Sequence, residues 1–407
     1  MFKKIFYTIL GFLILLLVSV NLLLPKLAGS SNKNPNEFLK SGSPAAIEYV
    51  KDSLKGLDQN LIRDYHTHIV GMNETKNGTF INPKMNSPFH IKEYLRMKVY
   101  LSALKINHLD TADDETIFRL KDLISNLPYS SKHFILAFDK HYDEFGIMNL
   151  NKTEFYTPNQ YILKLSKENP NYFLPCASIH PNRKDALIEL EKMKNQGVKM
   201  IKWLPNAQGI NPADSKHIAF YKKMIEYKMI LLTHAGEEKA VEAEDDQKLG
   251  NPLRLILPLN LGLKIIIAHA ASLGNDIDLD SPDLNLVSSF DLFIRMMETP
   301  RYQKNLFGDI SAVIQFNRNE KILKTLLEKK HLHARLINGS DYPLPAVNIV
   351  IQLDKLKPFL NSKDQMLLRE IFDYNPILFD FVLKRNLKWS GSKFADSVFL
   401  ENKLLEY

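Results

Sequence analysis

His66 and His68, separated only by Thr67, are the first side chains in the sequence placed to share a cation. In a β-strand, residues i and i+2 point to the same face. The two imidazoles therefore project together from a strand end, with Asp64 beneath them. Imidazole is a ligand for zinc and related divalent ions, so the pair makes half of a metal site. In a chain with 12 histidines such a pair is a weak signal by itself, because short patterns recur by chance. Its weight comes from downstream. Lys202, His234, His269 and Asp341 stand at the ends of further short runs: Met-Ile-Lys-Trp, Leu-Leu-Thr-His, Ile-Ile-Ala-His and Asn-Gly-Ser-Asp.

These residues need elements that bring them together. Eight short apolar runs read as strands: 61–66, 134–139, 174–179, 198–204, 229–233, 264–268, 305–310 and 334–338. Several are nearly continuous in apolar residues, as parallel strands buried on both faces are. Helical patterns separate them, over 86–127 with a break around 108–113, then 157–169, 184–196, 217–227, 251–261, 284–299, 320–330 and a long closing helix over 362–384. Ala186, Leu187, Leu190 and Met193 have the spacing of an amphipathic helix, and Gly197 follows as a helix-ending glycine. Eight βα units predict an α/β fold, a (β/α)8 TIM barrel over residues 57–390, with chemistry at the C-terminal ends of its strands. An open doubly wound sheet is the alternative, and it lacks a Gly-x-Gly-x-x-Gly turn to support it.

The 407 residues, 45% hydrophobic and 24% charged, have the make-up of an ordinary globular protein with a sizeable core. The net charge of +7 comes from scattered lysines, without the clustered arginines and aromatics of a nucleic-acid surface. Cys176 is the single cysteine, which rules out an intramolecular disulfide and a thiolate zinc site. It falls in an apolar run and reads as an inert core thiol.

At the N-terminus, Lys3 and Lys4 precede an apolar run over 5–25, long enough to cross a bilayer and longer than a usual signal-peptide core. The expectation is a transmembrane anchor over 1–28, with a cleaved signal as the alternative. The positive-inside tendency then puts the barrel in the periplasm or outside the cell. Residues 29–56 read as a linker and a short helix begun by Ser43-Pro44, and 391–407 as a tail without assignment.

Asp64-Tyr65-His66-Thr67-His68, followed by His234, His269 and Asp341 on the fifth, sixth and eighth strands, resembles the amidohydrolase superfamily of metal-dependent hydrolases. The nearer branch is the amidohydrolase-related group, which also contains decarboxylases. The resemblance runs from about Leu61 to Lys384, and Asn375-Pro376 with Leu378-Phe379 is similar to the family's closing motif, with Pro in place of Ala. It implies that His66, His68, His234 and Asp341 hold a divalent metal, most readily zinc, that lowers the pKa of water toward ~7. Asp341 would also act as the catalytic base, and His269 would orient water or, with two metals, become a ligand. Lys202 stands where binuclear members carry a carboxylated lysine. The alternative for Lys202 is a plain cation facing a substrate carboxylate or Asp341. His180, Trp203 and Glu237 are expected to contact substrate, with Asp139 and Glu238 as further pocket residues.

The resemblance implies hydrolysis of an amide, ester or lactone of a small molecule. The alternatives are non-oxidative decarboxylation on the same barrel and a membrane-tethered binding protein without turnover. The expected partners are a small-molecule substrate and the membrane, with no nucleic acid. Oligomeric state, and the choice between one metal and two, are not legible in the sequence.

Overall fold

The computed structural model describes residues 2–28 and 33–406. Eight parallel strands form its centre: β1 (Ile62–His68), β2 (Ser131–Leu136), β3 (Phe173–Cys176), β4 (Met200–Trp203), β5 (Ile230–Thr233), β6 (Ile265–Ile267), β7 (Leu306–Asp309) and β8 (Leu336–Ile337). β1 to β3 are hydrogen-bonded in sequence order, and so are β4 to β8. Parallel bridges between Ala177 and Ile201 and between Thr67 and Tyr342 join the two arcs, so the sheet closes into a (β/α)8 barrel.

Alternation along the strands divides the core in two. Tyr65, Leu136, Cys176, Met200, Leu232, Ile266, Phe307 and Ile337, one from each strand, pack into a single buried cluster that fills the barrel. Their neighbours, such as Ile201, Trp203, Leu231, Ile265 and Leu306, belong to a larger cluster shared with the surrounding helices. Cys176 is fully buried, and burial pushes its thiol pKa up, away from reactivity.

The outer layer comprises α1 (Phe2–Ala28), α2 (Pro44–Leu54), α3 (Ile91–Leu104), α4 (Ala112–Ser125), α5 (Asn159–Glu168), α6 (Ala186–Asn195), α7 (Ile218–Glu226), α8 (Ile256–Asn260), α9 (Ser289–Glu298), α10 (Glu320–Glu328), α11 (Ser362–Tyr374) and α12 (Pro376–Asn386), with shorter turns between them. Ser43 caps α2 by accepting a hydrogen bond from the Ala46 amide at 3.1 Å, with Pro44 in the first turn. The closing helix expected as one piece is two. Pro376 lacks the amide proton that would continue α11, and the Asn375 side chain accepts from the Ile377 and Leu378 amides to start α12.

The expectation of a transmembrane anchor is corrected. The apolar run over 5–25 is helical within α1, which touches α3. Among the described residues no helix is long and apolar enough to cross a membrane. The single-pass location, with the barrel outside the membrane, is withdrawn with it, as is the membrane as a partner. Of the expected linker, residues 29–32 lie outside the described residues. Lys33 is tied to the barrel through its amide and the Asp373 carbonyl, at 2.9 Å.

The tail beyond Trp389 closes the base of the barrel. Below the Thr67–Tyr342 bridge it enters between β1 and β8: the Arg63 amide donates to Phe399 O at 3.1 Å and the Asn338 amide to Val398 O at 2.8 Å. Leu405 joins the interior cluster, and the Asn402 amide donates to the Tyr65 hydroxyl at 3.0 Å. Phe399 is fully buried against Phe381, with ring centroids 5.4 Å apart. Phe399→Ala should therefore cost about 3–5 kcal/mol, the range for deleting a buried aromatic ring. Guanidinium unfolding measures this, and a loss below ~1 kcal/mol would show that the tail is not part of the cooperative core.

Candidate metal centre at the mouth of the barrel

β1 carries a register irregularity between Asp64 and Thr67, which includes His66, and His68 follows just past it. Asp64 Oδ1 sets this turn of backbone by accepting from the His66 amide and from the Ser340 amide, both at 3.0 Å. One carboxylate oxygen thereby ties the end of β1 to the segment that carries Asp341.

The His66 ring is fully buried, and its Nδ1–H donates to Asp309 Oδ2 at 2.8 Å. A carboxylate on one ring nitrogen fixes the tautomer and leaves the other nitrogen as a bare lone pair. The second oxygen of Asp309 accepts from the His269 and Ser311 amides at 2.9 Å and from the Ser311 hydroxyl. The Ser311 hydroxyl donates its hydrogen bond to Asp309, so its oxygen accepts from His269 Nδ1–H at 2.7 Å. His269 too is left with a bare Nε2. Asp309 thus orients two imidazoles at once.

The free nitrogens converge. His66 Nε2 lies 3.2 Å from His68 Nε2 and 3.6 Å from Asp341 Oδ1, which is 3.3 Å from His68 Nε2. His269 Nε2 faces Asp341 Oδ2 at 4.0 Å. His66, His68 and Asp341 offer ligand atoms all within 4.8 Å of one another. His66, His269 and Asp309 are equally close, but there His66 and Asp309 are already bonded to each other, so that trio is a positioning group. Asp341 and His269 sit at φ 59° and 56°, left-handed conformations that side chains adopt only when their surroundings require it.

Burial holds the His66 and His269 imidazoles well below their usual pKa, and it lowers His234 as well. The lowered pKa favours the neutral imidazole, the form that binds metal. His234 is buried with no hydrogen bond to either ring nitrogen, while Glu238 Oε2 stands 3.5 Å from its Nδ1. A buried imidazole without partners is costly unless something completes it. Lys202 is 2% exposed, and its Nζ lies 3.3 Å from His66 Nε2. Burial lowers its pKa against the opposing pull of Asp309 and Asp341. Facing lone pairs, an orphaned buried imidazole and a carboxylate form a donor set that suits a divalent cation.

The structure brings His66, His68, Lys202, His234, His269 and Asp341 to one cavity of about 100 Å³. Three expected substrate contacts are elsewhere, and these are corrections. Trp203, next to inward-facing Lys202, points outward by strand alternation. It stacks on Phe220 at 5.7 Å and donates to Ile179 O at 2.8 Å. His180 is committed to Gln208 O at 2.9 Å and the Asn182 amide at 3.1 Å. Glu237 is half-buried and paired with Lys239 at 3.1 Å, whereas its neighbour Glu238 lines the cavity. Asp139 is bound by the Lys140 and His180 amides and by Arg183, at 2.9, 2.8 and 3.0 Å. Asp309, absent from the sequence-based candidates, is the residue that reading missed. Its only sequence signal is an acid closing the apolar seventh strand.

No family model and no curated protein matches the chain. Among solved structures, an uncharacterised TIM-barrel protein from Bordetella bronchiseptica is 13% identical, with 76% of this chain and 99% of that one covered and a TM-score of 0.46. A probable 2-pyrone-4,6-dicarboxylic acid hydrolase from Acinetobacter baumannii is 12% identical, over 78% of this chain and 97% of its own, at a TM-score of 0.40. The 5-carboxyvanillate decarboxylase from Sphingomonas paucimobilis is 11% identical, over 79% and 96%, at 0.44. The barrel assignment rests on the strand pairing described above.

Asp309→Asn keeps the shape of the side chain but removes the charge that orients His66 and His269. It should weaken divalent-metal binding about 10–100-fold, the usual effect of losing a residue that holds a ligand in place. Competition against a chromophoric chelator measures this, and unchanged affinity would remove Asp309 from the site.

Proposed function

We propose that this chain is a metal-dependent hydrolase acting on an amide, ester or lactone-like bond of a small molecule. The observation that carries the proposal is the convergence of His66 Nε2, His68 Nε2 and Asp341 Oδ1 on one point, with the buried His234 and His269 beside them. The sequence resemblance to amidohydrolases supports the same assignment. His66, His68, His234 and Asp341 would hold the ion, and zinc suits nitrogen ligands joined by a carboxylate. A divalent ion there supplies Lewis acidity, which makes water a nucleophile at neutral pH and polarises a carbonyl.

The chain's own groups do the remainder. Asp341 is the proton carrier: its carboxylate lies beside His68 at the cavity floor, where it can take a proton from attacking water and return it to the leaving group. His269, locked by Ser311, directs Nε2 at that carboxylate and helps orient the water. Lys202 has two forms to weigh. As an ammonium it repels a second cation. As a carbamate, formed when its neutral amine adds CO2 and loses a proton, it becomes an anion able to bridge two ions. Burial favours the neutral amine, against the pull of Asp309 and Asp341. With His234 lacking any hydrogen-bond partner, these observations favour two metals.

His66→Ala with His68→Ala should abolish stoichiometric metal binding and turnover and leave the circular dichroism spectrum unchanged, because the barrel core lies below. Retention of tightly bound metal would overturn the ligand assignment. A metal-loaded wild type that releases CO2 from aromatic carboxylates and leaves esters intact would favour decarboxylation instead.

For Lys202 the readout is metal count. Wild type should bind about two ions per chain, and Lys202→Ala about one, with the second restored by a short carboxylic acid. Saturation of the wild type at a single ion would assign Lys202 as a plain cation.

A further inference from the structure

The wall of the cavity differs in chemistry from its floor. Val70, Phe138, Phe155, Leu204, Val241 and Leu344 make a hydrocarbon collar above the histidines. The few polar groups of the wall are already committed. The Thr157 hydroxyl donates to Ile69 O at 2.9 Å and the Tyr100 hydroxyl to Ala240 O at 2.8 Å. Glu238 Oε1 accepts from the Ala240 and Val241 amides.

The collar is partly built by the long insertion between β1 and β2. Tyr100, on α3, reaches over the mouth, and Arg96, one helical turn earlier, is bonded to Glu154 beside the wall residue Phe155. That ion pair holds Nη2 of one nearby guanidinium on Glu154. Arg318, the other arginine close to Glu238 and Asp341, directs Nε to Ser272 Oγ at 2.8 Å and Nη1 to Asn317 Oδ1 at 2.9 Å. Lys202, at the floor against His66, is the one lysine or arginine among the described lining residues.

A carboxylate placed in this collar would lose its water among hydrocarbon side chains and meet no arginine among the described lining residues, which disfavours binding. The neighbouring Glu238 carboxylate adds repulsion. Hydrocarbon, by contrast, gains by leaving water. The volume of about 100 Å³ sets the size. A dry cavity of ~150 Å³ holds benzene, so this one takes a short acyl chain, or a single ring seated partly in the mouth.

Resting on the hydrolase reading above, we propose that the site takes a small neutral ester, lactone or amide with an alkyl or aryl substituent and turns away substrates bearing a further carboxylate. The reacting carbonyl meets the histidine floor, and the substituent fills the collar.

Two probes that share a metal-binding head and differ only in the collar test this. Benzohydroxamic acid and 4-carboxybenzohydroxamic acid are titrated calorimetrically into the zinc-loaded full chain, whose metal content is measured in the same samples. Benzohydroxamic acid should bind at least about tenfold more tightly. Val241→Arg, which puts a cation in the collar, should raise the affinity for the carboxylated probe about tenfold. Equal or tighter binding of the carboxylated probe by wild type overturns the inference, and so does metal-loaded protein that binds neither. Protein that holds no zinc overturns the hydrolase reading and this inference with it, and the metal measurement identifies that outcome separately.

Discussion

The buried carboxylate of Asp309 is the constraint on which the site depends. Through one oxygen it fixes the tautomer of His66, and through the other it holds the His269 amide and Ser311, which in turn fixes the His269 ring. Without that anion the two imidazoles could present either nitrogen to the cavity, and the convergence on Asp341 would be lost. The carboxylate is itself affordable in a dry interior because its partners surround it, and a satisfied buried network is rigid where a half-satisfied one is destabilising.

The scaffold below transmits the same order. Asp64 ties the backbone of His66 to that of Ser340, which links the strand ends carrying His66 and Asp341. On its other side Asp64 Oδ2 faces His133 Nδ1 at 3.3 Å, and His133 Nε2 meets Ser131 Oγ at 2.9 Å, which extends the polar chain into the layer between strands and helices. Deeper still, Lys384 Nζ donates to the Gly339 carbonyl and to Asp380, both at 2.7 Å, which anchors the segment before Asp341 to α12. The tail under the barrel completes the support by occupying the lower part of the seam between β1 and β8. The C-terminal residues thus belong to the same structural unit as the mouth.

The strands were legible in the sequence because parallel strands buried on both faces are short apolar runs, and all eight such runs are strands in the barrel. The side chains that meet at the mouth were legible as polar residues at or just beyond the ends of those runs. What escaped did so for physical reasons. Asp309 makes no spacing pattern with another histidine or acid, and its importance lies in two partners distant in sequence, His66 and His269. Trp203 was read as a pocket residue although period-two alternation, with Lys202 facing in, turns it outward to Phe220. Glu237 and Glu238 are adjacent in one acidic loop, and only the backbone path after β5 decides that the second faces the cavity. The N-terminal run was read from its length and apolarity alone. The break at Asn375-Pro376 was legible as a cap followed by a first-turn proline, but the apolar periodicity on both sides concealed it.

The central claim is that one point between His66, His68 and Asp341 is a cation site held in shape by Asp309. The most direct measurement is X-ray diffraction from crystals of the full chain grown with zinc, with data collected on both sides of the zinc absorption edge. The account predicts an anomalous peak bonded to His66 Nε2, His68 Nε2 and Asp341 at about 2.0–2.2 Å, with His66 Nδ1 still on Asp309. Absence of a peak between those three residues, or zinc bound only elsewhere on the chain, would contradict it.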